Sequence, residues 1–254
     1  MHALVTVAAV VVAVAAAARS TWSPCGVSML ATVTPLAERG RGHRCRSTAA
    51  WFIAGGTAGG VTLGLVMAAL AFGVRAANPS AGVLAVVACT LAVVAAASDS
   101  RLGGFHLPFH SRQVNERWLD QFRPWAYGAG FGWQIGAGLV TYIKTAALYL
   151  MIALAALTAS PATALAVGAL FGLVRGLAVL LGRGIISPAT LAAFHRRFTR
   201  AGPVVLGAVV GCELAAAVAF AAVLSPWVAL ALVLLGATAA AGRLRRRAPA
   251  AAPS

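Results

Sequence analysis

The sequence predicts an all-α polytopic membrane protein, built as an inverted repeat of two three-helix halves and one additional C-terminal helix. Three observations support this fold class. First, hydrophobic residues make up 61% of the 254 positions and charged residues only 10%, whereas soluble domains average roughly 45–50% and about 25%. Second, the arginines cluster in short segments between long apolar runs. Third, several landmarks recur in the same order in both halves of the chain.

The apolar runs define the expected spans, since a membrane-crossing helix needs about 20 mostly apolar residues. The first run is long and broken near Pro24, and the last, after Pro226, is short. The expected spans are 3–36, 48–74, 80–98, 126–158, 161–183, 203–224 and 227–241. No Lys or Arg precedes the first run, so we interpret it as a retained span, with a cleaved signal peptide as the alternative.

The basic segments set the expected orientation. Segments 38–47, 99–125, 183–202 and 243–247 carry four arginines each, whereas the opposite loops carry only Arg75. With seven crossings and the N-terminus outside, all four clusters face the cytoplasm, as the positive-inside rule requires. We therefore expect a multi-pass protein of the cell membrane whose first partner is the lipid bilayer. The net charge of +15 would suggest nucleic acid in a soluble protein, but the topology accounts for it here.

The polar stretch 99–125 is predicted to be a cytoplasmic linker, and residues 114–122 within it a short amphipathic helix at the membrane interface. His106 and His110 are four residues apart, but Pro108 between them disfavours a regular helix, so we expect solvated histidines and no metal site. The Ala/Pro-rich tail from Ala248 is predicted to be disordered. No phosphate loop or Ser-His-Asp set is present, which argues against a hydrolytic or nucleotide-driven enzyme, and no cofactor is indicated.

An internal repeat is visible in the glycines and cysteines. Glycines recur every fourth residue in the second span and again in the fifth, and Ala88-Cys89-Thr-Leu-Ala is matched by Gly211-Cys212-Glu-Leu-Ala. Trp22 opens a Trp-Ser-Pro-Cys stretch, and Trp133 opens Trp-Gln-Ile-Gly. The glycines concerned are Gly56, Gly60, Gly64, Gly168, Gly172 and Gly176. Taken singly, such glycines indicate close helix packing.

Three spans in each half force the halves to insert with opposite topology, which is the inverted-repeat plan of many secondary transporters. The predicted units are a first repeat, a linker, a second repeat, an additional helix, and a basic then disordered tail. Their bounds are 1–98, 99–125, 126–224, 225–242 and 243–254.

Two sets of residues could carry chemistry. Pro24 interrupts the first span beside Cys25, and a thiol at such a break could face a polar cavity and be reactive, or could simply pack at a kink. Lys144, Arg175 and Glu213 lie inside apolar runs, where charges are costly and usually face the bundle interior. They could form an anion-attracting or proton-coupled site, or a buried ion pair that fixes packing.

The stretch Trp22-Ser-Pro-Cys-Gly-Val-Ser-Met-Leu, together with Tyr127-Gly-Ala-Gly-Phe-Gly-Trp-Gln-Ile-Gly, resembles the two motifs of the CcdA and DsbD-type transmembrane reductant conductors. The resemblance implies an inverted three-plus-three repeat and two motif cysteines that pass electrons from a thioredoxin-like protein across the membrane. Cys25 matches the first motif cysteine, but Gly136 stands at the second. A relay would then need Cys89 or Cys212 as partner, unless both are buried packing residues.

Three functions therefore remain open from the sequence. The chain could move reducing equivalents through Cys25, transport a small solute with its intramembrane charges, or act as a non-catalytic assembly protein that docks a partner on the 99–125 linker. An enzymatic role beyond thiol-disulfide transfer is not expected, and the sequence does not indicate an oligomeric state.

Overall fold

The computed structural model describes residues 1–108, 121–138 and 143–247, with side chains up to residue 238. All regular structure in these ranges is helical. The ten α-helices of this part of the chain are α1 His2–Ser20, α2 Pro24–Thr32, α3 Pro35–Gly40, α4 Cys45–Ala77, α5 Ala81–Asp99, α6 Pro124–Gly136, α7 Ala147–Leu157, α8 Pro161–Leu177, α9 Pro188–Leu224 and α10 Pro226–Arg247. A 3-10 segment, Ala178–Gly184, extends α8.

Ser-Pro and Thr-Pro pairs begin five of the described helices, and four of these pairs form the same cap. In each of the four the hydroxyl accepts a hydrogen bond from a backbone N–H of the first turn, and the proline occupies the first helical position, where no N–H is needed. The capping residues are Ser23, Thr34, Ser160 and Ser187. The chain breaks between α1 and α2 at Ser23-Pro24, where the sequence predicts a break.

Five helices among the described residues are long and apolar enough to cross a membrane. They are α1, α4, α5, α8 with its 3-10 extension, and α9. The expectation of seven spans differs from the structure at 126–158, which divides into α6 and the eleven-residue α7. The expected span 227–241 lies within α10. The division has a local cause, because Gly138 adopts a φ of +67° just after α6, a conformation that ends a helix.

The predicted cytoplasmic loop 184–202 is also different in the structure. Only Ile185–Ser187 are non-helical there, and α9 runs on from Pro188 through Pro203 to Leu224. The Ser187–Thr190 capping box nucleates this early start, since it satisfies backbone donors on both sides of the helix end. The amphipathic segment predicted at 114–122 and the tail from Ala248 fall almost entirely outside the described residues.

Helix α4 lies at the centre of the bundle and packs against α6 on one side and α8 on the other. Helix α5 packs against α9, and α9 also packs against α10. The two α4 contacts are close because glycines face backbone: a Cβ on Gly59 would lie 2.1 Å from the carbonyl oxygen of Trp133, and one on Gly172 would lie 2.2 Å from that of Gly56. No larger residue fits at either position without moving a helix.

The contacts between α4 and α8 are reciprocal. A Cβ on Gly60 would meet the Gly168 carbonyl oxygen at 2.3 Å, and one on Gly168 would meet the Gly60 carbonyl oxygen at 2.6 Å. Gly172 also faces Gly56, which lies one helical turn before Gly60. The two glycine series therefore run antiparallel across the same contact.

Candidate functional site

Two cationic side chains from the second half of the chain donate hydrogen bonds to carbonyl oxygens at or beside the break between α1 and α2 (residues 21–23). The buried Arg175 on α8 donates from Nη2 to the carbonyl oxygen of Ser20 at 3.4 Å. The half-buried Lys144, just before α7, donates from Nζ to the carbonyl oxygen of Trp22 at 3.1 Å. The last carbonyls of a helix have no N–H partner within it and form the negative end of the helix dipole, so they favour cations.

Arg175 brings the two sequence-predicted sets of residues together. Its side chain is 2% exposed, and its guanidinium lies 5.7 Å from the centre of the Phe171 ring. It also interacts electrostatically with the Cys25 thiol, which is 4% exposed. Cys25 and Arg175 therefore share one environment beside the break, although the sequence suggests them for different functions.

The break is held from the other side by Trp22. Its indole Nε1 donates to the carbonyl oxygen of Phe198 at 2.8 Å, and its ring stacks on the Phe198 ring with centroids 4.3 Å apart. A Cβ on Gly202 would also contact the indole at 3.3 Å. The basic-side part of α9, predicted to be a loop, thus fixes the position of the break.

Two further charged residues lie next to this site. Asp99, at the end of α5, accepts hydrogen bonds from Thr145 Oγ1 and from the backbone N–H of Ala146, the latter at 2.6 Å, so it caps the start of α7. Arg19, 9% exposed at the end of α1, is attracted to Asp99, and no described residue pairs with its Nε. Both residues stand at the ends of apolar runs, so the sequence alone does not predict that they are buried.

Glu213 on α9 completes the set. Its side chain is 0% exposed, and neither carboxylate oxygen has a hydrogen-bond partner among the described residues. The charged group that acts on it electrostatically is Asp99, and none of the ion pairs in the described parts of the chain joins it to Arg175 or Lys144. We refer to Arg19, Asp99, Lys144, Arg175 and Glu213 as the polar cluster.

The sequence suggested Cys25, with Cys89 or Cys212, for a thiol relay. All four lie within the described residues, and none of them is joined in a disulfide. Cys89 donates to the carbonyl oxygen of Ala217, five positions beyond Cys212 on α9. Gly136, at the second motif position, packs so closely on α4 that a Cβ would lie 1.9 Å from the carbonyl oxygen of Gly56. The glycine at that position is therefore a packing requirement.

Glu38 is a third buried acid, and the sequence does not predict its burial. Glu38 sits in the first basic segment yet is 0% exposed. Tyr127 Oη donates to both of its oxygens at 2.8 and 2.9 Å, Thr48 Oγ1 donates at 2.6 Å, and Arg41 pairs with it at 3.1 Å. Tyr127 lies outside the five candidate spans, and burial together with the Glu38 carboxylate raises its pKa to about 12, so its phenol stays a donor.

An apolar groove of about 570 Å³ lies elsewhere, between α5, α9 and α10. Ala96, Val210 and Leu232 are among its walls, and Lys144, Arg175 and Glu213 are not.

His106 lies on the surface, where its Nδ1 is 3.2 Å from the carbonyl oxygen of Leu107. His110 falls outside the described residues.

These features define a multi-pass helical membrane protein with a charged site inside its bundle. In sequence, the chain is 33% identical over 172 residues to the methylamine utilization protein MauF of Paracoccus denitrificans, covering 66% of this chain and 60% of that protein. It is 32% identical over 169 residues to MauF of Paracoccus versutus (63% and 59%) and 29% identical over 160 residues to MauF of Methylorubrum extorquens (60% and 54%).

The chain thus spans about 60% of the length of the curated relatives it matches. No family model matches the sequence, and no solved structure matches it significantly. The resemblance to the CcdA and DsbD-type conductors is corrected by this comparison, since the relatives are MauF proteins. The motif likeness rested on short Gly-, Pro- and Trp-containing stretches, which close helix packing and helix starts also produce. The expected thioredoxin-like partner rested on that resemblance alone.

Proposed function

We propose that this chain is a multi-pass membrane protein that serves methylamine utilization, and that the polar cluster is its working site. The observation that carries the proposal is the similarity to MauF proteins over about two thirds of the chain, combined with five ionisable side chains gathered in the bundle. Charges within a membrane are costly and persist where they have a task. The step that we propose is the membrane transport of a small polar solute.

We also propose that the two halves of the chain are an inverted repeat. The packing of α4 on α8 supports it, because the contact of Gly60 with Gly168 is matched by that of Gly172 with Gly56, and Gly60 faces Gly172 at the crossing. An in-plane twofold axis through that crossing would exchange Gly56 with Gly168 and Gly60 with Gly172. The proposed units keep the bounds predicted from the sequence, 1–98 and 126–224.

The proposed location is the cell membrane, with the basic segments in the cytoplasm. The distribution of arginines supports this orientation. Arg39, Arg101 and Arg196 are exposed, and each lies in a different one of the basic segments. Reporter fusions at residue 78 and at the C-terminus test it. A C-terminal fusion active only outside the cytoplasm would reverse it.

Gene deletion in the host that encodes this chain tests the function. Growth on methylamine as the sole nitrogen source should be lost and should be restored by the intact gene. Restoration should fail with Lys144→Gln and with Arg175→Gln. It should succeed with Arg183→Gln, the matched control, which removes an exposed arginine from the 3-10 extension of α8.

Uptake of labelled methylamine by the same cells separates transport from assembly. Loss of uptake in the deletion strain supports a transport step. If the deletion strain takes up methylamine normally but does not grow on it, an assembly role replaces the transport step. Normal growth of the deletion strain on methylamine would refute the proposal altogether.

A further inference from the structure

The bundle contains two fully buried glutamates with opposite surroundings. Glu38 receives hydrogen bonds from Tyr127, Thr48 and Arg41. Glu213, equally buried, receives none from the described residues on either carboxylate oxygen. Because the two side chains are chemically identical, the difference in donors decides the charge that each can carry.

An ionised carboxylate without donors is strongly disfavoured in an apolar interior, and a buried acid in that position becomes neutral instead. Glu38 meets the requirements of an anion, with three donor groups including an arginine. Glu213 does not, and Leu214 next to it faces the apolar groove between α5, α9 and α10. Neutral Glu213 has an O–H to donate, which an anion lacks.

Asp99 is the acid next to Glu213, and its hydrogen-bond donors favour the ionised form. Thr145 Oγ1 and the backbone N–H of Ala146 donate to it, and Arg19 attracts it from α1. Two neighbouring carboxylates do not both ionise easily, since like charges repel at short range. The donors therefore place the negative charge on Asp99 and leave the proton on Glu213.

We propose that Asp99 and Glu213 form a proton-binding site inside the membrane, in which Glu213 carries an exchangeable proton at neutral pH. The step is a proton transfer alone: the Glu213 O–H bond breaks, the proton passes to water or to a neighbouring carboxylate, and no electrons move. The ligand of the site is the proton, and the site joins α9 to α5.

The charged group that acts on Glu213 is Asp99, and two cations follow it at the ends of neighbouring segments. Asp99 faces it from α5, Arg19 lies beside Asp99 at the end of α1, and Lys144 lies beside Arg19 before α7. The described side chains of α10, residues 226–238, include no charged group. Release of the proton would therefore place a second negative charge beside Asp99, whose own charge Arg19 offsets.

This inference deepens the proposed function, on which it rests for the task of the polar cluster. The proposed function and this inference can fail separately. Growth on methylamine tests the function, and a spectroscopic signal of the purified protein tests whether Glu213 is protonated. Infrared spectroscopy of the full chain in lipid nanodiscs is suitable, since a protonated carboxylic acid has a C=O stretching band that a carboxylate lacks.

At neutral pH the native protein should show this band, and the band should shift in D₂O and disappear reversibly at alkaline pH. Glu213→Gln should remove it. The matched control is Glu38→Gln, which removes the other buried glutamate and should leave the band unchanged. Glu213→Asp keeps a carboxyl group and should give the band at a different frequency, which covers the case in which Glu213→Gln does not fold.

A native protein without the band would overturn the proposal. The same holds if the band survives in folded Glu213→Gln, or if Glu38→Gln is the variant that removes it. If Glu213→Gln does not fold, a Glu213→Asp spectrum identical to that of the native protein would also overturn it.

Discussion

Lys144 donates a hydrogen bond from Nζ to the carbonyl oxygen of Trp22 at 3.1 Å, although 122 residues separate them in the chain. The bond joins the second half of the protein to the break in the first. Because a helix end leaves carbonyls without N–H partners, the ammonium replaces hydrogen bonds that the break removes. A residue of the polar cluster thus also holds the fold, so its variants need both a stability and a growth measurement.

Lys144→Met should lower the free energy of unfolding by about 1 kcal/mol, because the Trp22 carbonyl loses its donor. Thermal unfolding in detergent micelles measures this as a lower Tm. Lys144→Arg retains a cationic donor and is the control, expected to lose less. Equal Tm values for Lys144→Met and the native protein would show that the bond does not stabilise the break.

Gly172→Ala should destabilise the bundle by about 1–3 kcal/mol or more, as overpacking in a tight core does. The added methyl would lie 2.2 Å from the carbonyl oxygen of Gly56, so α4 and α8 must separate. Gly207→Ala on α9 is the control, since a Cβ there meets nothing within 4 Å. Comparable Tm values for the two variants would contradict the close approach of the helices.

Gly136→Cys would restore a cysteine at the second motif position, and we expect the protein to be poorly folded. Its Cβ would lie 1.9 Å from the carbonyl oxygen of Gly56, and helix backbone cannot yield cheaply there. Yield and monodispersity in size-exclusion chromatography measure the outcome, with Gly211→Cys at an open position as control. A well-folded Gly136→Cys protein with a disulfide to Cys25 would refute the packing explanation.

Tyr127→Phe should cost about 1–3 kcal/mol, since the buried Glu38 carboxylate loses one of its donors. The phenol, with its pKa of about 12, donates throughout the physiological pH range. Tyr149→Phe is the control, because its hydroxyl donates to the carbonyl oxygen of Pro108 on the surface. If both variants unfold at the same temperature, Tyr127 does not hold Glu38 in place.

Much of the fold could be predicted from the sequence, for a physical reason. Long apolar runs have few alternatives to helices in a membrane, since every backbone group must be satisfied within the segment. Several of the expected spans agree closely with single helices, such as 48–74 with α4 and 80–98 with α5. The span 126–158 was wrong because its hydropathy does not reveal the turn at Gly138.

The site was only partly predictable. Lys144, Arg175 and Glu213 stand out as charges within apolar runs, but Arg19 and Asp99 close such runs and look like ordinary membrane-boundary residues. Glu38 lies among arginines and looks solvated. Arg19, Asp99 and Glu38 are nevertheless buried in the structure, because contacts from distant helices cover them.

The sequence by itself determined the membrane class of this protein, several of its long helices and the position of the first break, since these follow from composition, hydropathy and the Ser-Pro cap. Only the tertiary structure decided which charges meet, which glutamate has donors, and why Gly136 cannot be a cysteine. Those properties depend on distances between helices far apart in the chain, and local sequence does not encode such distances in a readable form.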